Sequence, residues 1–226
     1  ASPTPVLADG NCYCDFGALG VACVSVADGS VRWRHQSVIQ HNVGPGSSPA
    51  VVDDLLILTR DGADVQYIEA VDRLTGDVVW KRPRPPLRAT NEEQKKAFCT
   101  PLLIDAGGRR QLVIPGAQWF IAYEPETGEE IWRIDHGSGF SNVPRPVYNG
   151  EYVFLCTGFA SPELWAVDPT GTGDVTDSHV AWKHRSQVPN TPSPVATEDH
   201  VFFVSDQGVA TVLEAATGQQ LARARL

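Results

Sequence analysis

The chain has 226 residues, with 18 Lys and Arg against 27 Asp and Glu and a formal net charge of −9. That acidity argues against nucleic acid or an anionic membrane surface as a partner, and no apolar run reaches the roughly 18 residues of a membrane-spanning helix. Its 20 Gly and 17 Pro imply many turns, which suits an all-β chain.

Five units then follow one plan. The first is Thr4-Pro5-Val6-Leu7, Asn11-Cys12-Tyr13-Cys14, Val21-Ala22-Cys23-Val24 and Ser30-Val31-Arg32-Trp33. The second is the clearest: Ser48-Pro49-Ala50-Val51-Val52, a turn at Asp53-Asp54, Leu55 to Thr59, a turn at Asp61-Gly62, Gln66 to Asp72, a turn at Thr75-Gly76, and Val78-Val79-Trp80. These read as four short strands and three reversals. The third runs from Thr100-Pro101 through Gln111 to Ile114 and Trp119 to Tyr123, ending Glu130-Ile131-Trp132. The fourth opens at Arg145-Pro146, reaches Leu164-Trp165-Ala166-Val167-Asp168, carries an insertion from Pro169 to Ser178, and closes on Val180-Ala181-Trp182. The fifth opens at Ser193-Pro194 and closes through Thr217-Gly218, with Leu221 expected in the place of the Trp.

The opening prolines are spaced by 44, 52, 45 and 48 residues. A period of about 45–50 residues filled with short strands predicts a β-propeller of four-stranded blades, with blades at about 1–35, 46–83, 98–135, 143–184 and 191–226. The turn glycines Gly76, Gly128 and Gly218 fit a conformation with φ > 0. The acidic residue before each turn (Asp72, Glu124 or Glu214) is expected to accept its backbone amides. Trp33, Trp80, Trp132 and Trp182 are expected to project into the gaps between blades as structural packing.

The segment Ala70-Val71-Asp72-Arg73-Leu74-Thr75-Gly76-Asp77-Val78-Val79-Trp80 resembles the tryptophan-docking repeat of the PQQ-like β-propellers, a quinoprotein-like family. Tyr123 to Trp132 and Ala215 to Leu221 are similar. Phe16 to Cys23, Gly44 to Pro49 and Gly173 to Asp177 also resemble PQQ-like repeat proteins of planctomycete-type bacteria, which are often named after the propeller subunit of the outer-membrane barrel-assembly machinery. The resemblance implies a ring of seven or eight blades, so this chain is expected to be a fragment of a larger propeller, or else a closed five-bladed ring. Ala1 is not Met and begins no leader pattern, which fits a fragment or a chain that has lost its leader.

The resemblance also implies that the strand starting at each proline lines a channel and that the connectors Arg34–Ser47, Lys81–Cys99, Ile134–Pro144 and Lys183–Pro192 cover one mouth. The second connector is expected to be a surface turn, with a short helix near residues 91–97 capped by Asn91. His41, Asp64, Gln66, Arg145, Asp177 and His179 are the candidate channel-mouth binding residues. Asp177 and His179 alternate on one strand face, so a hydrogen-bonded pair or a loop closure is expected there. Arg145 has the fork to bind an anion or to pair with a carboxylate.

The five cysteines, Cys12, Cys14, Cys23, Cys99 and Cys156, leave open buried free thiols, one bridge from Cys23 to Cys12 or Cys14, or a metal site. A PQQ dehydrogenase of this resemblance carries a vicinal Cys-Cys and a Glu–Asn–Asp set for calcium and base catalysis, and neither is found in register. Gly-x-Ser-x-Gly, His-Glu-x-x-His and Cys-x-x-Cys-His are absent. With those motifs absent, the resemblance implies a noncatalytic, exported, periplasmic binding or scaffolding module of the cell envelope, with no cofactor expected and with a protein or peptide as partner. The alternative is a PQQ- or metal-dependent oxidoreductase, using PQQ with calcium, whose ligands lie in missing blades.

Overall fold

A computed structural model describes residues 3–159 and 161–226, so Ala1, Ser2 and Ala160 lie outside the described residues. The first blade is β1 (Val6–Ala8), β2 (Asn11–Asp15), β3 (Val21–Ser25) and β4 (Val31–His35); the second is β5 (Ala50–Val52), β6 (Leu55–Asp61), β7 (Gln66–Asp72) and β8 (Val78–Pro83). The third is β9 (Leu102–Ala106), β10 (Arg109–Pro115), β11 (Trp119–Tyr123) and β12 (Glu130–Asp135). The fourth is β13 (Val147–Tyr148), β14 (Val153–Cys156), β15 (Leu164–Val167) and, after the insertion strand β16 (Gly173–Asp174), β17 (Val180–His184). The fifth is β18 (Val195–Ala196), β19 (His200–Val204), β20 (Val209–Glu214) and β21 (Gln220–Arg225). Each blade is an antiparallel meander with a register shift between its third and outer strands.

Alternation along the middle strands feeds both neighbours. On β6, Leu56 and Leu58 pack with Tyr13, Cys23 and Trp33 of the first blade, while Ile57 packs with Leu112 and Ile114 of the third. On β14, Val153 and Leu155 join the third blade, and Phe154 and Cys156 join the fifth. A strand buried on both faces reads as a continuous apolar run, which is why Leu55 to Leu58 shows no polar alternation. The uncovered faces are apolar too: Leu7, opposite Cys12, and Val195 and Phe202, opposite each other, are exposed.

In the first, second and fourth blades an indole ties the blade to the turn of the next. Trp33 Nε1 donates to Arg73 O at 3.0 Å, Trp80 Nε1 to Pro125 O at 3.0 Å, and Trp182 Nε1 to Ala215 O at 2.9 Å. A Cβ on Gly76, Gly128 or Gly218 would lie 2.8, 2.5 or 2.6 Å from the docked ring, and each glycine has positive φ. No side chain fits there, which explains the turn glycine. Of the acidic residues before the turns, Asp72 accepts two amides, from Leu74 and Thr75, at 2.8 and 2.9 Å. Glu124 instead binds Arg109, and Glu214 takes the Thr217 hydroxyl.

Trp132 departs from this rule. Its Nε1 donates to Gln111 Oε1 at 2.7 Å, and Gln111 Nε2 passes the contact on to Pro169 O at 2.9 Å. The Thr-Gly pair is kept as Thr170-Gly171, but the insertion turns it away from the indole: Gly171 lacks the positive φ of Gly76, Gly128 and Gly218 and faces His179 and Val175, and Val175 packs into the cluster that holds the Trp132 ring. The insertion also lays β16 parallel to β12, pairing Trp132 with Gly173 and Arg133 with Asp174.

The fifth blade corrects one expectation. Ala222, opposite Val212, takes the place that Trp80 holds opposite Ala70. Leu221 is the extra residue of the register shift and is 50% exposed. Ala222 stands four residues after Gly218, as Trp80 does after Gly76, so Leu221 lies one position early.

All five cysteines are free. Cys23 pairs with Tyr13, so it lies on the opposite face of the sheet from Cys12 and Cys14, whose sulfurs are 3.6 Å apart. That facing explains why neither expected bridge to Cys23 forms.

Trp80→Ala is expected to lower unfolding stability by about 3–5 kcal/mol through the cavity it leaves. Gln111→Leu, which strands the Trp132 indole and the Pro169 carbonyl, is expected to cost about 1–3 kcal/mol. Urea unfolding followed by tryptophan fluorescence measures both.

Candidate functional site

Antiparallel order sorts the loops into two ends. The connectors share one end with the hairpins between second and third strands; the Thr-Gly turns lie at the other. Buried charge collects at the connector end. Arg60, at the end of β6, donates from Nη1 to Asp15 Oδ2 of the first blade at 2.6 Å and from Nε to Glu69 Oε1 at 3.2 Å. Glu69 also accepts the Ser37 hydroxyl of the first connector at 2.6 Å. The next residue, Asp61, takes a two-pronged grip from Arg84, at 2.9 and 2.6 Å, and Arg84 Nη1 continues to Ile114 O of the third blade at 2.8 Å. Adjacent strand residues point to opposite faces, so Arg60 and Asp61 serve the two neighbouring blade gaps. Burial works against the Arg84 charge, but Asp61 and Tyr123 together outweigh it and hold the guanidinium pKa above its ordinary value.

Hydroxyls tie the inner edges. The residue before each opening proline sends its amide to the equivalent hydroxyl of the next blade: Thr4 N to Ser48 Oγ at 2.9 Å, Ser48 N to Thr100 Oγ1 at 3.0 Å, and Arg145 N to Ser193 Oγ at 2.9 Å. The rung from Thr100 is missing because Arg145 brings no hydroxyl. Thr4, Ser48, Thr100 and Arg145 border a cavity of about 430 Å³, and Arg145 makes no ion pair among the described residues.

The six candidate residues do not form one cluster. Asp64 Oδ1 accepts Gln40 N at 2.9 Å and so ties the β6–β7 hairpin to the first connector, while Gln66 Nε2 donates to Gly62 O at 2.8 Å within the hairpin itself. His41 is buried beside Phe98, and both ring nitrogens are without a partner. Burial, then Arg60, push its pKa below the ordinary value. Arg145 lies at the inner cavity. Asp177 sits in the insertion and His179 directly after it, at the turn end. They form no pair with each other: His179 Nδ1 meets Ser178 Oγ at 2.8 Å and its ring packs over Gly171.

The second connector is more than a surface turn. A short 3-10 helix, Glu92–Lys95, is capped by the Asn91 side chain. Lys96 behind it is buried, with Nζ on Glu93 and on His41 O. The chain then locks to the third connector through Phe98 N to Asn142 O at 2.8 Å and Ser141 N to Lys96 O at 2.7 Å.

Sequence reasoning passed over His136. It is buried, stacks on Phe120 at 4.3 Å, and meets Gly116 O through Nε2 at 2.9 Å. Burial pulls its pKa down to about 4, so the ring is neutral. It borders a cleft of about 310 Å³ with Phe140, Thr157, Phe159 and Glu163.

The family model described as outer membrane protein assembly factor BamB matches residues 1–114 and again residues 64–226. The chain belongs to this PQQ-like propeller family. Among solved structures, BamB from Moraxella catarrhalis is 17% identical with a TM-score of 0.69, over 95% of this chain and 60% of that one. Quinohemoprotein alcohol dehydrogenase ADHIIG from Pseudomonas putida HK5 is 15% identical with a TM-score of 0.67, over 100% of this chain and 42% of that one. The enzyme of the same name from Comamonas testosteroni is 12% identical with a TM-score of 0.54, over 100% of this chain and 59% of that one. The chain thus spans 60% or less of each solved relative's length. No curated protein matches the sequence.

These likenesses show the β-propeller fold. The quinoprotein relatives raise the question of a calcium-bound quinone. The buried carboxylates at this end do not fit one: Asp15 and Glu69 are held by Arg60, and Asp61 by Arg84. Among the described residues, no group of three His, Cys, Asp or Glu side chains is placed to hold a metal, and no helix is long and apolar enough to cross a membrane.

Arg84→Met is expected to destabilise the chain by about 3–5 kcal/mol, because it leaves Asp61 buried and unpaired. The double variant with Asp61→Asn should recover much of that loss in the same urea titration. For His136, a folded pKa of about 4 lies below the ordinary value near 6.5. Its contribution, on the order of 3 kcal/mol, is therefore complete above about pH 6.5 and lost as pH falls toward 4. Unfolding midpoints across that window should fall less steeply for His136→Phe than for the wild type.

Proposed function

We propose that the chain is a noncatalytic binding or scaffolding module of the cell envelope, exported to the periplasm, which engages a protein or peptide partner. The observation that carries this reading is the match of the whole chain to a family described as an outer membrane protein assembly factor. The connector end supports it: its charged groups are spent on joining blades, while open polar clefts remain along the third to fifth blades. The outer strands β4, β8 and β21 offer edges on which a partner segment can add as a further strand. The exposed apolar faces of the first and fifth blades support five blades belonging to a ring of seven or eight.

The competing reading is a PQQ-dependent oxidoreductase, favoured by the fold likeness to the quinohemoprotein alcohol dehydrogenases. Two measurements separate them. Titration of the purified chain with PQQ and calcium chloride is expected to give no saturable change in quinone absorbance, and the native protein should fractionate with the cell envelope. Saturable quinone binding would establish the enzyme reading, and a protein confined to the cytoplasm would overturn the envelope assignment.

A further inference from the structure

Five residues stand immediately before the opening prolines, and four of them carry a hydroxyl: Thr4, Ser48, Thr100 and Ser193. The fifth is Arg145. Along the inner edges each amide donates to the hydroxyl of the next blade, so an arginine in the fourth blade breaks the series once. Thr4 N reaches Ser48 Oγ at 2.9 Å, and Ser48 N reaches Thr100 Oγ1 at 3.0 Å. Thr100 N is directed by the same repeat toward position 145, and it finds no acceptor among the described residues. Thr100 itself is half-buried. The series thus offers one unanswered N–H beside a cation.

The backbone that carries this cation is fixed. Pro146 confines Arg145 to an extended conformation, and the Arg145 amide donates to Ser193 Oγ at 2.9 Å. Just before it, Pro144 O accepts the Cys99 thiol at 3.1 Å. Arg145 is exposed, and its guanidinium has neither a hydrogen bond nor an ion pair among the described residues. Burial raises the pKa of the Cys99 thiol, and Arg84 and Arg145 pull it back. The Arg145 charge is therefore felt on the third-blade side, next to Thr100. Arg60 and Arg84 are committed to joining blades; Arg145 is not.

The cavity of about 430 Å³ that Thr4, Ser48, Thr100 and Arg145 border has no carboxylate in its walls. Val6, Pro49 and Val51 make part of the lining apolar. A hydroxyl whose oxygen accepts an amide keeps its own hydrogen to donate, so Ser48 and Thr100 add two more donors. One guanidinium fork, an open N–H and two hydroxyls suit a singly charged carboxylate, which arginine grips through two parallel bonds. A calcium-bound quinone does not suit them, since no carboxylate is there to hold the metal. The chain's net charge of −9 repels free anions at a distance. A carboxylate is better brought in by a partner that supplies further contacts of its own.

We propose that this cavity receives the carboxylate of an Asp or Glu side chain presented by a protein partner. This rests on the binding-module reading and names the chemistry of the partner. The carboxylate takes the place of the hydroxyl that the fourth blade lacks: one oxygen accepts Thr100 N–H, and both face the Arg145 fork.

The test titrates the labelled 226-residue chain by nitrogen NMR with acetyl-Gly-Glu-Gly-amide and its glutamine counterpart, which keeps the shape and loses the charge. The glutamate peptide is expected to move the Thr100 amide and the Arg145 Nε resonance. The glutamine peptide should bind about tenfold more weakly. Arg145→Ser restores the hydroxyl that the other blades carry, so it is expected to keep or raise the unfolding midpoint while abolishing the preference for glutamate. Arg145→Lys, which has the charge without the fork, should retain part of that preference. Equal binding of the two peptides, an unmoved Thr100 amide, or undiminished binding by the Arg145→Ser chain overturns the proposal. Tighter binding of acetate or inorganic phosphate than of the glutamate peptide would make the cavity a small-anion site and overturn the protein partner. If the glutamate peptide fails while the protein still fractionates with the envelope and ignores PQQ with calcium, the cavity assignment falls and the module reading stands.

Discussion

The structure depends on an indole from one blade reaching the turn of the next. A single four-stranded meander buries too little to stand alone, so its stability comes from its neighbours, as in other stacked repeats. The indole does two things at once: it fills the wedge between diverging sheets and it satisfies a backbone carbonyl that the turn would otherwise bury. Trp132 shows which of these the fold insists on. Where the insertion follows Thr170-Gly171, the glycine's contact with the ring is given up but the hydrogen bond is not, because Gln111 carries it on to Pro169.

The two ends of the blades are built differently. At the turn end, packing is apolar and repeated, and one blade could be exchanged for another in outline. At the connector end, each gap has its own arrangement: a guanidinium between first and second blades, a guanidinium between second and third, an imidazole between third and fourth. Such groups tolerate burial only with partners in place, so they fix each connector to one position. Connectors held in that way can present clefts whose walls differ from blade to blade, which is what recognition of a particular partner requires and what a uniform stack cannot offer.

Local spacing made the blades legible. A proline, a run of apolar residues, a Thr-Gly pair and a Trp four residues later all lie within one unit, so period and turn chemistry suffice to find them. The same reasoning failed where a contact spans units. Asp61 read as half of an Asp-Gly turn, and nothing local says that Arg84, 23 residues on, will take both its oxygens. Arg60 and Asp15 are 45 residues apart. His136 follows Asp135 in what looks like an ordinary loop, and its role appears only when Phe120 and Gly116 are brought under it. Asp177 and His179 misled in the opposite direction: their alternation suggested a pair, but Ser178 lies between them and captures the ring.

The parallel pairing of β16 with β12 has a consequence for how the chain is made. Most of this molecule can assemble in the order of synthesis, each blade completing its own hydrogen bonds before the next begins. The third blade cannot. Its outermost ladder is closed by Gly173 and Asp174, residues that leave the ribosome only after most of the fourth blade has followed. Third and fourth blades thus share a hydrogen-bonded ladder as well as an apolar core, and a pause in translation between them would leave the edge at Trp132 bare.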